Sequence, residues 1–310
     1  MIRGREAAVA VVLLATLAFV VRGDERDAPL PRTVAEGAKL EVVFEDDRFF
    51  EGPTWDPTTK KLVFTAFKGK TSQILRLDEP KKASVLLEKG EGVNGTYLAR
   101  DGRLLGAEGF GKRLVSFALG PDGLSDCRAL ATDAGGAPFV GPNDVVESPT
   151  SGAVYFTDPD FKGKAKSSVF VLAKGASRAV PVVTHSKIPN GLEVSNDGKT
   201  LYVADSFEKR IYSYPIQDDA TVDQGRVKVF FDPATRSQAD PDGMCSDSDG
   251  NLYFAMRGGI WVVTPAGESL GLIPVPEFAS NVTFGGEDGK SLYVTCSKKV
   301  YRLAMKARGR

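Results

Sequence analysis

Residues 190–205 read NGLEVSNDGKTLYVAD, and five other stretches of the 310-residue chain follow the same pattern. Each stretch has a polar residue, a short apolar strand, a turn and a second apolar strand. In four of the six, an Asp-Gly pair makes the turn, because glycine adopts the positive φ that a tight hairpin requires. The other five copies are EGPTWDPTTKKLVFTA (51–66), NGTYLARDGRLLGAE (94–108), NDVVESPTSGAVYFTD (143–158), DGMCSDSDGNLYFAM (242–256) and NVTFGGEDGKSLYVTC (281–296).

These repeats keep a common register along the chain. Their polar residues lie 10 or 11 positions before the second strands, which begin at Leu62, Leu104, Val154, Leu201, Leu252 and Leu292. Two further strand candidates follow in each repeat, except that the sixth repeat ends after its third strand. Six repeats of four strands predict an all-β fold, a six-bladed β-propeller. KLEVVFED (39–46) is predicted to complete the last blade, which closes the ring and removes exposed sheet edges.

Composition excludes several other classes of protein. The chain has 40 Lys and Arg against 40 Asp and Glu, so it lacks the basic footprint of a nucleic-acid-binding protein. A hydrophobic content of 42% is that of an ordinary globular domain. With His185 as the only histidine, the sequence argues against a His-rich metal site and against a Ser-His-Asp hydrolase.

The N-terminus reads as a targeting segment. Arg3 and Arg5 precede the apolar run AAVAVVLLATLAFVV (7–21), which is typical of a secretory signal peptide and short for a membrane span. We therefore predict a signal peptide at 1–23, a short linker at 24–38 and one propeller domain at 39–310, in an exported protein, periplasmic or secreted. A retained N-terminal anchor is the alternative. The three cysteines are expected to be mostly small buried hydrophobes, with one disulfide as the alternative.

The recurring polar residue marks a candidate site. In a propeller the first strand of each blade lines the central channel, so equivalent positions of six blades converge on the axis. The alternative is that these residues only cap strands, as Asn and Asp do in turns. An oxygen-only cluster suits a hard divalent cation; Ca²⁺ fits best, Mg²⁺ next, and Mn²⁺ or Zn²⁺ are further candidates. The six residues are Glu51, Asn94, Asn143, Asn190, Asp242 and Asn281.

Phrases around these positions resemble the gluconolactonase/regucalcin (senescence marker protein) family from about residue 40 to 305. The phrases are EGPTW (51–55), PNDV (142–145), YFTDP (155–159), PNGL (189–192), PDGM (241–244) and SNVTFGG (280–286). The resemblance implies a propeller with a divalent metal on its axis that hydrolyses sugar lactones. It implies metal ligands at Glu51, Asn143, Asn190 and Asp242, with Asp242 also the general acid/base.

On this hypothesis the metal polarises the lactone carbonyl and Asp242 helps to deprotonate the attacking water. The positions of further residues near the column suggest roles for them. Asn94, Glu108 and Asn281 are candidates to face a polyhydroxy substrate. Asp158 and Asp205 are candidates to orient the amides of the neighbouring asparagines, with plain strand-end hydrogen bonding as the alternative.

Two departures from the family bear on specificity. Bacterial members often have His after the equivalent of Glu108, and some have Arg at the equivalent of Gly141; this chain has Gly109 and Gly141. Two other functions therefore remain open. One is a non-catalytic propeller that binds a ligand or partner around a structural metal; the other is a hydrolase of another ester. The substrate is expected to be a small-molecule lactone, with no nucleic acid and no membrane span after cleavage; the oligomeric state is left open.

Overall fold

The chain forms six four-stranded antiparallel sheets around one axis, which confirms the predicted six-bladed propeller. The computed structural model describes residues 29–69, 71–233 and 240–310, so the predicted signal peptide lies outside the described residues. Strands are numbered along the chain. Blade 1 contains β2 (Phe49–Asp56), β3 (Lys61–Lys68), β4 (Thr71–Glu79) and β5 (Lys82–Gly90). Blade 2 contains β6 (Val93–Leu98), β7 (Arg103–Glu108), β8 (Arg113–Gly120) and β9 (Gly123–Ala131).

The remaining blades repeat this order from the axis outward. Blade 3 contains β10 (Val145–Glu147), β11 (Val154–Asp158), β12 (Ser168–Leu172) and β13 (Val180–Val183). Blade 4 contains β14 (Pro189–Val194), β15 (Thr200–Asp205), β16 (Arg210–Pro215), the 3₁₀ helix Gln224–Arg226 and β17 (Lys228–Phe231). Blade 5 contains β18 (Met244–Ser246), β19 (Leu252–Met256), β20 (Gly259–Val263) and β21 (Ser269–Pro274). Blade 6 contains β22 (Ala279–Gly285), β23 (Ser291–Cys296), β24 (Lys299–Ala304) and β1 (Glu41–Glu45).

The ring is closed as the sequence predicted. The first strand, β1, pairs with β24 and completes blade 6 in the order β1-β24-β23-β22. The ring of Phe44 on β1 lies 5.5 Å from that of Phe50 in blade 1, a spacing at which aromatic pairs add about 0.5–1.5 kcal/mol. Part of the predicted linker also packs on this blade, because Val34 is buried and bridges Met305.

Burial decreases from the inner strands to the outer strand of a blade. In blade 3 both β11 and β12 are buried along their whole lengths, whereas the middle of the outer strand β9 in blade 2 is exposed. The three cysteines are free thiols, but only Cys296 is buried; Cys245 is partly buried and Cys127 is exposed, so the expectation of mostly buried cysteines was wrong. Among the described residues no helix is long or apolar enough to cross a membrane.

Candidate functional site

The six polar residues stand where the innermost strands begin. Four of them lie within those strands, and Asn143 and Asp242 lie in the connections just before β10 and β18. Four of the six are buried, namely Glu51, Asn143, Asn190 and Asn281. The other two, Asn94 and Asp242, are partly exposed. One end of the channel therefore carries a ring of oxygen-bearing side chains.

Glycines hold neighbouring blades together at this ring. A Cβ on Gly191 would lie 2.1 Å from the Asp242 carbonyl oxygen, and one on Gly243 would lie 2.0 Å from Asn281 Cγ. No side chain fits in that space. The same packing explains Gly52 against Asn94 and Gly95 against the next blade. A glycine after the polar residue thus lets adjacent members of the ring come into contact.

Glu51 is the most buried carboxylate of the ring. The Gly52 N–H donates to its Oε2 at 2.9 Å, and the Asn281 amide donates to the same oxygen at 3.2 Å. Burial raises the pKa of Glu51 to about 7. The Oδ1 of Asn281 accepts from the Val282 N–H at 2.8 Å. In the described chain the Asn281 amide thus orients Glu51, and its predicted role of facing substrate stays a prediction.

Asp242 lies near a further carboxylate, that of Asp144, which the repeat pattern did not mark as a site residue. Burial, followed by the charges of Glu51 and Asp144, raises the pKa of Asp242 well above its ordinary value. Burial and Glu51 act in the same direction on the pKa of Asp144. Asp144 stands at the position that is glycine in four of the other repeats. A Cβ on Gly95 would lie 2.1 Å from the Asp144 Oδ1. The presence of Asp where most repeats have glycine is the feature of the sequence that could have identified this residue.

Two amides of the ring have distinctive surroundings. Asn190 Nδ2 donates to Ser206 Oγ at 3.1 Å, and Ser206 Oγ donates to the Pro241 carbonyl at 2.7 Å, next to Asp242. Ser206, which the sequence analysis also missed, therefore connects blades 4 and 5. Asn94 Oδ1 is buried and has no hydrogen-bond partner in the described chain. A buried amide oxygen without a donor is costly unless a ligand supplies one.

Three other predicted residues have partners away from the amides. Asp158 accepts from the backbone N–H of Val140 and Gly141, at 3.0 and 2.6 Å. Asp205 does the same for Lys187 at 2.7 Å. Both acids thus shape the loops that lead to Asn143 and Asn190, and their hydrogen bonds in the described chain do not reach the amides. Glu108, predicted to face substrate, is buried in an ion pair with Arg113.

This donor set fits a hard divalent cation. It supplies carboxylate and carboxamide oxygens, and oxygen is the ligand that Ca²⁺ and Mg²⁺ take. The raised pKa values of Glu51, Asp144 and Asp242 describe crowded acids that a cation would stabilise as carboxylates. In the described chain no three His, Cys, Asp or Glu side chains form a metal-binding group, so amide oxygens would have to complete the coordination.

A cavity of about 820 Å³ approaches the ring from the opposite end of the channel. Asp144 and Asn281 line it, together with side chains from the hairpin turns of the inner strands. The segment 305–310 crosses its mouth. Arg310 pairs there with buried Glu193 at 2.7 Å and donates to the Val194 carbonyl. The guanidinium also donates to the Tyr97 hydroxyl of blade 2 at 3.3 Å, so it links blades 2 and 4 at this end of the channel.

We expect Arg310→Ala to lower the free energy of unfolding by about 3 kcal/mol, because Glu193 stays buried without its partner. Chemical denaturation measures the loss, and Lys306→Ala on the same segment is the exposed control. Adding Glu193→Gln to Arg310→Ala should restore part of the stability. Equal stability of Arg310→Ala and the control would contradict the assigned ion pair.

The site also predicts how stability depends on pH. The unfolded chain releases the Glu51 proton near its ordinary pKa of 4.5, whereas the folded protein holds it to about 7. Glu51 alone should therefore cost the metal-free protein about 3 kcal/mol of stability as the pH rises between these values, and the raised pKa values of Asp144 and Asp242 act in the same direction. Denaturation in a chelator at several pH values measures this loss, and saturating Ca²⁺ should reverse it. A pH profile unchanged by Ca²⁺ would count against cation binding at Glu51.

Fold and ring together define a closed propeller with an axial site for a cation or a small polar molecule. A family model described as SMP-30/Gluconolactonase/LRE-like region matches residues 49–298. The chain belongs to this family.

Characterised relatives cover most of the chain. The gluconolactonase of Zymomonas mobilis subsp. mobilis is 31% identical over 304 residues, which cover 87% of this chain and 82% of that protein. Pentonolactonase XacC of Haloferax volcanii is 29% identical over 257 residues, covering 82% and 83%. The structure of XC5397 from Xanthomonas campestris, described as a gluconolactonase, matches with a TM-score of 0.77 at 25% identity, covering 90% of this chain and 96% of that one.

Proposed function

We propose that this protein is a metal-dependent hydrolase of lactones, with sugar lactones as the first class to test. The observation that carries the proposal is the convergence of Glu51 and Asp242 with an unpartnered buried amide oxygen of Asn94 at one end of the channel. The names of the relatives, gluconolactonase and pentonolactonase, support lactones as substrates and sugar lactones in particular.

Glu51, Asn143, Asn190 and Asp242 are the residues proposed to hold the cation, and Ca²⁺ is the ion that their oxygens fit best. When bound, the cation supplies Lewis-acid polarisation of the lactone carbonyl. Asn281 keeps Glu51 in place through its amide hydrogen bond. Ser206 and the Pro241 carbonyl set the position of the Asn190 amide relative to Asp242.

Asp242 is the proposed general base because it is the partly exposed carboxylate of the ring. It takes a proton from water as the water oxygen bonds to the acyl carbon. The C–O bond of the lactone ring then breaks, and the proton passes to the departing alkoxide, which gives a hydroxy acid. Asn94 Oδ1 can accept a hydrogen bond from a substrate hydroxyl at the same end of the channel.

The test is acid release in a pH-stat from a panel of sugar and simple lactones. The protein is first stripped with a chelator and then supplied with Ca²⁺, Mg²⁺, Mn²⁺ or Zn²⁺ in turn. We expect hydrolysis that requires a divalent cation. If the protein binds cations but releases no acid from any lactone, the proposal fails in favour of a non-catalytic propeller with a structural metal.

We also propose that residues 1–23 direct export and are then removed. The apolar run at 7–21 with two preceding arginines supports this proposal. Cell fractionation followed by mass determination of the N-terminus tests it. A chain that keeps residues 1–23 and sediments with membranes would favour the anchor instead.

A further inference from the structure

Three phenylalanines on consecutive blades are exposed to solvent. Phe110, Phe161 and Phe207 are 50%, 55% and 64% exposed. They lie in the connections β7–β8, β11–β12 and β15–β16, which belong to the face where the axial ring opens. Other large exposed hydrophobic residues of the described chain lie elsewhere, on outer strands or in the N-terminal segment; they are Val85, Val180, Val229 and Leu30.

The backbone presents these rings in fixed positions. The N–H of Phe110 donates to the Glu91 carbonyl at 3.0 Å. The N–H of Phe207 donates to the Asp205 carboxylate at 3.0 Å. These bonds fix the loop backbone that carries Phe110 and Phe207, and a group of exposed apolar side chains on one face is the feature that marks an interaction surface.

The loop of Phe161 is organised by a carboxylate beneath it. Asp160 is buried and accepts from the backbone N–H of Lys162 at 2.8 Å, and also from those of Lys164 and Ala165. All residues from 161 to 166 are exposed. Phe161 is therefore carried at the tip of a short, hydrogen-bonded loop.

Lysines lie within a few residues of each exposed phenylalanine. The four lysines Lys112, Lys162, Lys164 and Lys166 are exposed, and Lys209 is partly exposed. None of the five forms an ion pair within the described chain, although carboxylates elsewhere on this face are paired, as Asp47 is with Lys68. Glu208, the acid beside Phe207, lies 4.0 Å from Arg210. The arc of blades 2 to 4 thus combines exposed aromatic rings with free positive charge.

We propose that this arc docks on an anionic lipid bilayer, with Phe110, Phe161 and Phe207 entering the headgroup region and the lysines contacting the headgroups. Apolar side chains interleaved with Lys are the chemistry that binds proteins to anionic membrane surfaces. The three rings stand on separate loops and on one face. A lipid surface accepts such spaced anchors without matching a shape, whereas a protein partner would have to.

Vesicle co-sedimentation tests the proposal. The chain from Asp24, which keeps every strand of the ring, is mixed with vesicles of phosphatidylcholine alone or of phosphatidylcholine with phosphatidylglycerol. We expect binding that needs phosphatidylglycerol and weakens in high salt. Each Phe→Ser change should lower the partition coefficient about tenfold, and Lys164→Glu should lower it at least about fivefold. Val229→Ser, an equally exposed apolar residue on the outer strand β17, is the matched control and should bind like the wild type.

A direct probe separates insertion from indirect effects. Phe161→Trp should show a blue-shifted emission with the anionic vesicles, and Val229→Trp should not. Phe→Ser variants that sediment like the wild type would overturn the proposal. If the same variants also change the preference among lactones with longer alkyl substituents, the phenylalanine side chains contact the substrate rather than a membrane. Neither result would bear on whether the axial ring hydrolyses lactones.

Discussion

Asp242→Asn is expected to lower kcat/KM for lactone hydrolysis by about a thousandfold, because loss of a general base typically costs a factor of about 10²–10⁴. The substitution keeps an oxygen that can face the cation, so cation binding should be weakened much less than catalysis. Acid release and calorimetric titration with Ca²⁺ measure the two effects separately.

The matched control is Asp249→Asn, which changes an exposed acid of the same blade at the Asp-Gly hairpin turn. It should keep the activity of the wild type. Asp242→Asn with most of its activity and an intact cation site would rule out Asp242 as the base. A loss of both activity and cation binding would instead assign Asp242 to the cation alone.

Glu51→Gln has the second large effect, and its effect on stability is expected to be large without the cation and almost to vanish with it. Above pH 7 the metal-free variant should be more stable than the wild type by about 3 kcal/mol, because it no longer buries a carboxylate whose pKa is raised to about 7. With Ca²⁺ at about a hundred times its dissociation constant, the wild type gains about 2.7 kcal/mol. The variant should gain almost nothing.

Thermal and chemical denaturation with and without Ca²⁺ measure both changes. Glu88→Gln on the outer strand of the same blade removes an exposed carboxylate and should leave both values as in the wild type. A Glu51→Gln protein that Ca²⁺ stabilises as strongly as the wild type would remove Glu51 from the cation site. The hydrogen bond from Asn281 would then have only a structural purpose.

Much of the fold was predictable because each blade is specified locally. The Asp-Gly turns and the apolar strands recur in one register, and a third strand follows each predicted pair, as β20 does at Gly259–Val263. The strand β1 was predictable because the sixth repeat lacked an outer strand. Outer strands such as β9 (Gly123–Ala131) are harder to delimit from the sequence, because exposed strands carry a weaker apolar pattern.

The ring positions were predictable for the same reason, but the contacts of the individual side chains were not. Asn281 meets Glu51 across 230 residues of sequence, and Glu193 meets Arg310 across 117. No local pattern encodes such pairs. Asp158 and Asp205 accept from loop N–H groups beside them, which is the strand-end hydrogen bonding considered as the alternative to orienting the amides.

The sequence by itself determined six blades, their closure by an N-terminal strand and a column of oxygen-bearing residues, since each follows from short-range apolar periodicity and turn chemistry repeated six times. Only the tertiary structure decided which atoms of that column meet. It brought Asp144 to the axis, tied Asn190 to the neighbour of Asp242 through Ser206, and placed three phenylalanines on one face. Those features depend on how the blades pack around the axis, and that packing is set by contacts between residues far apart in the chain.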